Sequence, residues 1–203
     1  MSTTALLVVL GALAAGSLDS AQPPPPVQLT PEELSTLEAG GTIYRHQPGG
    51  AVHGGLSATV VHAPPAEVWR HVLDVGSWVD FLPYITSSAS VGSHQVDGHE
   101  VHHGTFALTT RGVVTHYQVE SHWMADDDYV AFTVGSRRGH PLRPSVGYWQ
   151  LAPWKGSGHL LIYQVDARSS WYVPGSVKRR AATRALPRLT TLIARRAEQS
   201  TSE

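Results

Sequence analysis

The sequence predicts an α+β domain in which a curved antiparallel β-sheet is wrapped around a long C-terminal helix. Three features predict it. Residues 58–85, ATVVHAPPAEVWRHVLDVGSWVDFLPYI, read as a strand, a Pro-started helix, a second short helix and a Leu-Pro stop. Six strand-like runs joined by short turns follow between 84 and 168, and residues 173–198 change to apolar positions in steps of three and four.

In the first stretch Ala58, Val60 and His62 alternate with Thr59, Val61 and Ala63 in a β-branched run, which favours extended chain. Pro64 and Pro65 end it, and proline is tolerated in the first turn of a helix. Val68, Trp69, Val72 and Leu73 then recur at helical spacing and predict a buried face, with Glu67, Arg70 and His71 on the others. Gly76 interrupts the pattern. Trp78, Phe81 and Leu82 begin a shorter apolar stripe that Pro83 stops by biasing Leu82 away from helical angles.

The strands are expected at 84–92, 99–111, 113–123, 129–136, 145–152 and 158–168, and their short turns predict an antiparallel meander. In 113–123, Val113, Tyr117, Val119 and Trp123 share one parity while His116, Gln118, Glu120 and His122 share the other, the pattern of one dry and one wet face. In 99–111, Phe106 and Leu108 share a parity with His102 and Thr110, so its inward face is less sharply marked. The middle of 158–168 is apolar on both parities and is expected to be buried on both faces. In the last helix Val177, Ala181, Ala185, Leu189, Leu192 and Ile193 form the apolar stripe, and Lys178, Arg179, Arg180, Arg184, Arg188, Arg195 and Arg196 fill much of the remainder. Pro187 removes one hydrogen bond and crowds the Thr183 carbonyl, which predicts a kink.

Ahead of the domain, residues 5–16 are a 12-residue apolar run followed by small residues, the pattern of a secretory signal cleaved between Ala14 and Ala21. A signal peptide over 1–21 implies a periplasmic or secreted protein. Residues 22–29 contain four consecutive prolines and read as an extended spacer. Thr30, Pro31 and Glu33 supply a cap, a first-turn proline and a capping-box glutamate, so 30–39 is expected to be a short helix within an N-terminal extension at 30–55, with the ligand-binding domain at 56–199.

Composition narrows the chemistry. The 203 residues are 41% hydrophobic and 15% charged, enough for one domain with a sizeable core, and the net charge of −1 argues against nucleic acid as a partner. Without cysteine there are no disulfides, thiolate nucleophiles or thiolate metal sites. Twelve histidines raise the question of a metal. His116 and His122, six apart on one strand, lie ~20 Å from each other, His102 and His103 point to opposite faces, and there is no HExxH motif, so the expectation is no metal and histidines scattered over the surface. The Asp126-Asp127-Asp128 turn lacks the ligand alternation of a calcium loop. No GxSxG and no Gly-rich phosphate loop occur, so no catalytic residue and no cofactor is assigned.

The order strand, two short helices, antiparallel sheet, long helix resembles the START-like (SRPBCC) helix-grip superfamily, and within it the coenzyme Q-binding and polyketide cyclase/dehydrase branch. The resemblance is carried by APPAEVWRHVLDVGSWVDFLPYITSSASVG at 63–92, GYWQLAP at 147–153, and HLLIYQVDA with YVPGSVKRRAATRALPRLTTLIARRAE at 159–198. It implies a cavity between sheet and helix that holds a lipid, quinone or polyketide-like molecule, with a cyclase/dehydratase-type enzyme as the alternative to a carrier. The side chains expected around that cavity are Trp78, Phe81, Tyr84, Phe106, Tyr117, Val119, Trp123, Trp149, Tyr163 and Trp171. Such pockets usually enclose ~300–1,000 Å³. The entrance is expected between 78–82, the loop 137–144 and the start of the long helix. The basic helix adds transient contact with an anionic membrane surface as an expectation.

Overall fold

A computed structural model describes residues 23–46, 54–110, 113–136, 145–166 and 175–202. The leader at 1–21, the loop 137–144 and Trp171 therefore lie outside the described residues. In chain order the elements are α1 (Pro31–Glu38), β1 (Thr42–His46), β2 (Gly55–Val61), α2 (Pro65–Leu73), α3 (Trp78–Phe81), β3 (Ile85–Val96), β4 (His99–Thr110), β5 (Val113–Met124), β6 (Tyr129–Ser136), β7 (Ser145–Pro153), β8 (His159–Asp166) and α4 (Gly175–Thr201). All eight strands form one antiparallel sheet in the order β1-β2-β8-β7-β6-β5-β4-β3, curved around α4.

Local chemistry accounts for most boundaries. Thr30 caps α1 through its side chain, and Glu33 reaches back to the Thr30 N–H at 2.8 Å, completing the capping box. Leu82 ends α3 in an extended conformation ahead of Pro83. Asp97 and Gly98 both take positive φ in the tight turn between β3 and β4, the geometry that matches the twist of a two-residue hairpin. α4 continues through Pro187 as one helix, and Thr190, wholly buried, donates its hydroxyl to the Leu186 carbonyl at 3.0 Å.

The departures from the sequence reading have physical causes. β1 carries no clear sequence signal: TIYRH is too short for a clear alternation, and it is held by pairing with β2 and by Thr42 Oγ1 meeting Thr191 Oγ1 of α4 at 2.8 Å. β3 continues to Val96 rather than ending at 92, because an edge strand with both faces mostly exposed carries no apolar signal. The buried stripe of the N-terminal half of α4 is Ala182 and Leu186, with Ala185 exposed; an alanine-rich turn offers apolar residues on several faces.

Two cores result. The larger fills the concave face, where Val61, Trp69, Val72, Trp78, Val130, Trp149, Leu161, Tyr163, Ile193 and Ala197 pack together. The second lies on the convex face, where Leu37 of α1 packs in one cluster with Ile43, Leu56, Ala58, Tyr129, Tyr148, Leu160 and Ile162. Residues of β8 therefore alternate between two dry faces, as its sequence implied. Arg45 of β1 pairs with Glu33 and so fixes α1 over this face, and the guanidinium holds the Glu33 carboxyl below its usual range.

His71 was expected on an outer face of α2 and is instead only 4% exposed. Its Nε2 lies 3.0 Å from Ser200 Oγ and its ring meets Phe81 edge-on at 6.0 Å, so it ties α2 to the end of α4. Burial, then the nearby Arg70 and Arg196, lowers its pKa below the ordinary 6.5, against the weaker pull of Glu67 and Asp74. Unfolding therefore takes up a proton once the pH drops below that ordinary value. His71's contribution to stability is intact above pH 6.5 and is lost as the pH falls from there toward the folded-state value. The melting temperature should accordingly drop between pH 7.5 and 5.5 and drop less in His71→Gln; identical pH profiles for the two proteins would remove His71 from the account.

Candidate functional site

The strands set a wall of aromatic side chains against α4. Trp149 of β7 and Tyr163 of β8 are register partners with ring centroids 4.3 Å apart, and Phe132 of β6 stacks on Tyr163 at 5.7 Å. On the opposite side Trp78 packs against Phe106 of β4 at 5.6 Å, and its N–H donates to the His71 carbonyl at 3.0 Å, which fixes the indole. Between these groups lies a cavity of 170 Å³. Of the residues expected around it, Trp78, Tyr84, Phe106, Val119, Trp149 and Tyr163 line it.

Phe81, Tyr117 and Trp123 do not. Tyr117 is spent stacking on Phe106 at 5.1 Å, Phe81 packs against His71, and Trp123 faces a separate groove. The lining also includes Val72, Leu82, Ile85, Leu108, Ser121, Phe132, Val134 and Leu189. Phe132 and Val134 could have been found from the alternation of β6, where they share a parity with the buried Val130, and Ser121 from its parity with Val119.

The volume is below the expected range, and the reason is visible in the wall: the aromatic rings occupy the space between sheet and helix. It is close to the ~150 Å³ that accommodates benzene in an engineered apolar cavity, so one ring or a short acyl segment fits without rearrangement. The lining is apolar except for the hydroxyls of Ser121, Tyr84 and Tyr163 and the indoles of Trp78 and Trp149, the first of which is engaged by the His71 carbonyl. Burial pushes the Tyr84 phenol up to about 12, against the opposing pull of Arg188, and burial together with Tyr84 pushes Tyr163 up as well. Both phenols are thus protonated at neutral pH, and no hydrogen bond to either hydroxyl forms among the described residues. They are donors awaiting an acceptor rather than bases.

Outside the cavity, α4 carries exposed Arg179, Arg180, Arg184, Arg188 and Arg195 with no acidic residue before Glu198, and none of the five has a carboxylate partner among the described residues. The histidines are not scattered as expected. On the outer face of β3–β5, His99 Nε2 meets His122 Nδ1 at 3.0 Å, His122 Nε2 meets Glu120 at 2.8 Å, and His94 stacks on His103 at 5.2 Å. Pairing across strands brings together residues that sequence spacing keeps apart. Among the described residues no three His, Asp or Glu side chains converge in a way that could hold a metal ion. No helix among them is long and apolar enough to cross a membrane.

A family model described as polyketide cyclase/dehydrase and lipid transport matches residues 55–198. No curated protein matches the chain by sequence. Among solved structures, a STAR-related lipid transfer protein fragment from Xanthomonas axonopodis superposes with a TM-score of 0.61 at 14% identity, covering 78% of this chain and 93% of that one. A START superfamily protein from Mycobacterium smegmatis gives 0.60 at 16% identity over 73% and 99%. The Zhui aromatase/cyclase from Streptomyces sp. R1128 gives 0.56 at 14% identity over 72% and 93%. At these identities the structural likeness concerns the fold.

Proposed function

The chain belongs to the polyketide cyclase/dehydrase and lipid-transport family of START-like, helix-grip proteins, and from that premise we propose that it carries a hydrophobic or amphipathic small molecule in the cavity between α4 and the sheet. The observation that supports this most directly is the pair of phenols, Tyr84 and Tyr163, without a hydrogen-bond partner among the described residues, in a mostly apolar enclosure. An apolar ring or acyl segment gains its burial energy there, and a carbonyl or hydroxyl oxygen on it accepts from the phenols. A longer ligand keeps its remainder at the mouth, on the side of Arg188, whose charge is felt at Tyr84.

The exposed arginines of α4, which have no carboxylate partner among the described residues, give the carrier a face for an anionic membrane surface, where a lipid-soluble cargo would be collected or delivered. We place this role outside the cytoplasm on the strength of the leader-like run at 5–16. The carrier reading is preferred to the cyclase/dehydratase alternative because the lining offers protonated phenols and, among the described residues, no carboxylate or imidazole to move a proton.

The test fills the cavity. Val119 lines it, so Val119→Trp is expected to occupy the void while leaving a folded protein. Calorimetry across lipids, quinones and polyketide-like aromatics should show about one-to-one binding to the wild type and none to the variant. A well-folded wild type that binds none of them would end the carrier reading, and conversion of a bound ligand to product would make the protein an enzyme.

A further inference from the structure

The outer face of β4–β5, away from the central cavity, sets two imidazoles end to end. His122 stands opposite the buried Val101 in the register of the two strands, and His99 lies two residues before Val101 on the same face of β4. The two histidines are therefore diagonal neighbours on the pleat, a spacing that long side chains bridge. His99 Nε2 lies 3.0 Å from His122 Nδ1, with ring centroids 5.2 Å apart. The other nitrogen of His122, Nε2, lies 2.8 Å from Glu120 Oε1. A carboxylate only accepts, so His122 Nε2 carries the hydrogen and its Nδ1 keeps a lone pair directed at His99, whose Nε2–H donates to it.

That tautomer is the one an Nδ1 metal ligand requires. A ligating imidazole characteristically donates its second N–H to a carboxylate, which fixes the ring and raises its basicity, and Glu120 already stands in that place. Two imidazole nitrogens ~2.1 Å from one cation and at right angles to each other are ~3.0 Å apart, the separation His99 and His122 already have. Binding asks the rings to tilt until both lone pairs converge. It also asks the His99 hydrogen to pass through solvent from Nε2 to Nδ1, with no net proton released. Both rings are half-buried and so open to solvent, β3 to β6 carry no Lys or Arg, and Glu120 adds a negative charge. Among the described residues no third His, Asp or Glu side chain converges with them, so water completes the coordination.

We propose that His99 and His122 form a two-imidazole site for a divalent first-row transition ion, taking Cu²⁺ in preference to Ni²⁺ and Zn²⁺, with Glu120 as the positioning residue for His122. Imidazole suits all three metals, Cu²⁺ stands highest in the general affinity order, and two ligands at a right angle occupy adjacent corners of the tetragonal geometry it adopts. The site is independent of the carrier reading of the central cavity.

The experiment titrates the full chain with CuCl₂, NiCl₂ and ZnCl₂ by calorimetry and follows the histidine ring resonances by NMR. Cu²⁺ should bind tightest, and substoichiometric Cu²⁺ should broaden the ring signals of His99 and His122 before that of His116, which is exposed further along β5. Each ring signal is assigned by its loss in the corresponding Gln variant. His99→Gln and His122→Gln should each abolish this site, Glu120→Gln should weaken it about tenfold, and His116→Gln should leave it unchanged. The NMR arm reads the wild type directly, so the answer does not rest on a variant that might misfold. Copper binding that survives both His99→Gln and His122→Gln, first broadening at another histidine, or no binding by the wild type would each overturn the proposal. An affinity indifferent to Glu120→Gln would remove Glu120 from it.

Discussion

Ile193→Ala should destabilise the domain by ~2–5 kcal/mol, whereas Leu189→Ala, one turn earlier on the same helix, should lose only ~1–2 kcal/mol. Ile193 is wholly buried between α4 and the concave face, so truncation leaves a void that its close-packed neighbours cannot fill. Leu189 is partly buried and already faces the 170 Å³ cavity, so its truncation mainly enlarges an existing space. Sequence periodicity places both on one stripe and would give them equal weight. Urea denaturation of the two variants measures the difference directly. Small and equal losses would mean that α4 is not packed in the grip of the sheet.

Gly147→Ala should be the more disruptive of two glycine substitutions in adjacent strands, with a loss of ~3 kcal/mol or more. A Cβ at 147 would fall 2.2 Å from the Gln164 carbonyl oxygen and 2.5 Å from Cζ of Phe132. The first of these is backbone of the neighbouring strand and cannot step aside, so relief requires β7 and β8 to separate locally. The second is the ring that stacks on Tyr163, so the cavity wall should shift with it. Gly135→Ala on β6 is the control, because nothing lies within 4 Å of its added Cβ and its melting temperature should barely move. Equal melting temperatures for the two variants would show that the neighbouring strand and ring do not crowd Gly147.

The comparison of β5 with β3 shows what made an element legible. β5 has one face on the core and one in water, so its alternation gives its extent and its inward parity, and Val119 and Ser121 are buried accordingly. β3 is an edge strand with little to bury, and its last residues are set by pairing with β4 rather than by their own side chains. α1, α2 and α3 were equally legible because caps and prolines act within a few residues. The site was legible as a pool of aromatic side chains, of which Trp149 and Tyr163 came to line the cavity while Tyr117 and Trp123 did not. Parity says which face of a strand is dry; it does not say which dry residues touch a void and which touch each other.

The sequence by itself determined the order of elements from β2 to α4, the inward parity of β5, the two dry faces of β8 and the basic character of α4, because each follows from interactions between residues near in the chain or from a simple period. Only the tertiary structure decided that α1 closes a second core on the convex face, that His71 is buried against Ser200, that histidines from β3, β4 and β5 assemble on one surface, and that the cavity is small. Each of these depends on which side chains meet across strands or between helix and sheet, and on how much room their volumes leave. That room is a small difference between the span of the sheet and the bulk of the rings facing α4, and no local pattern encodes it.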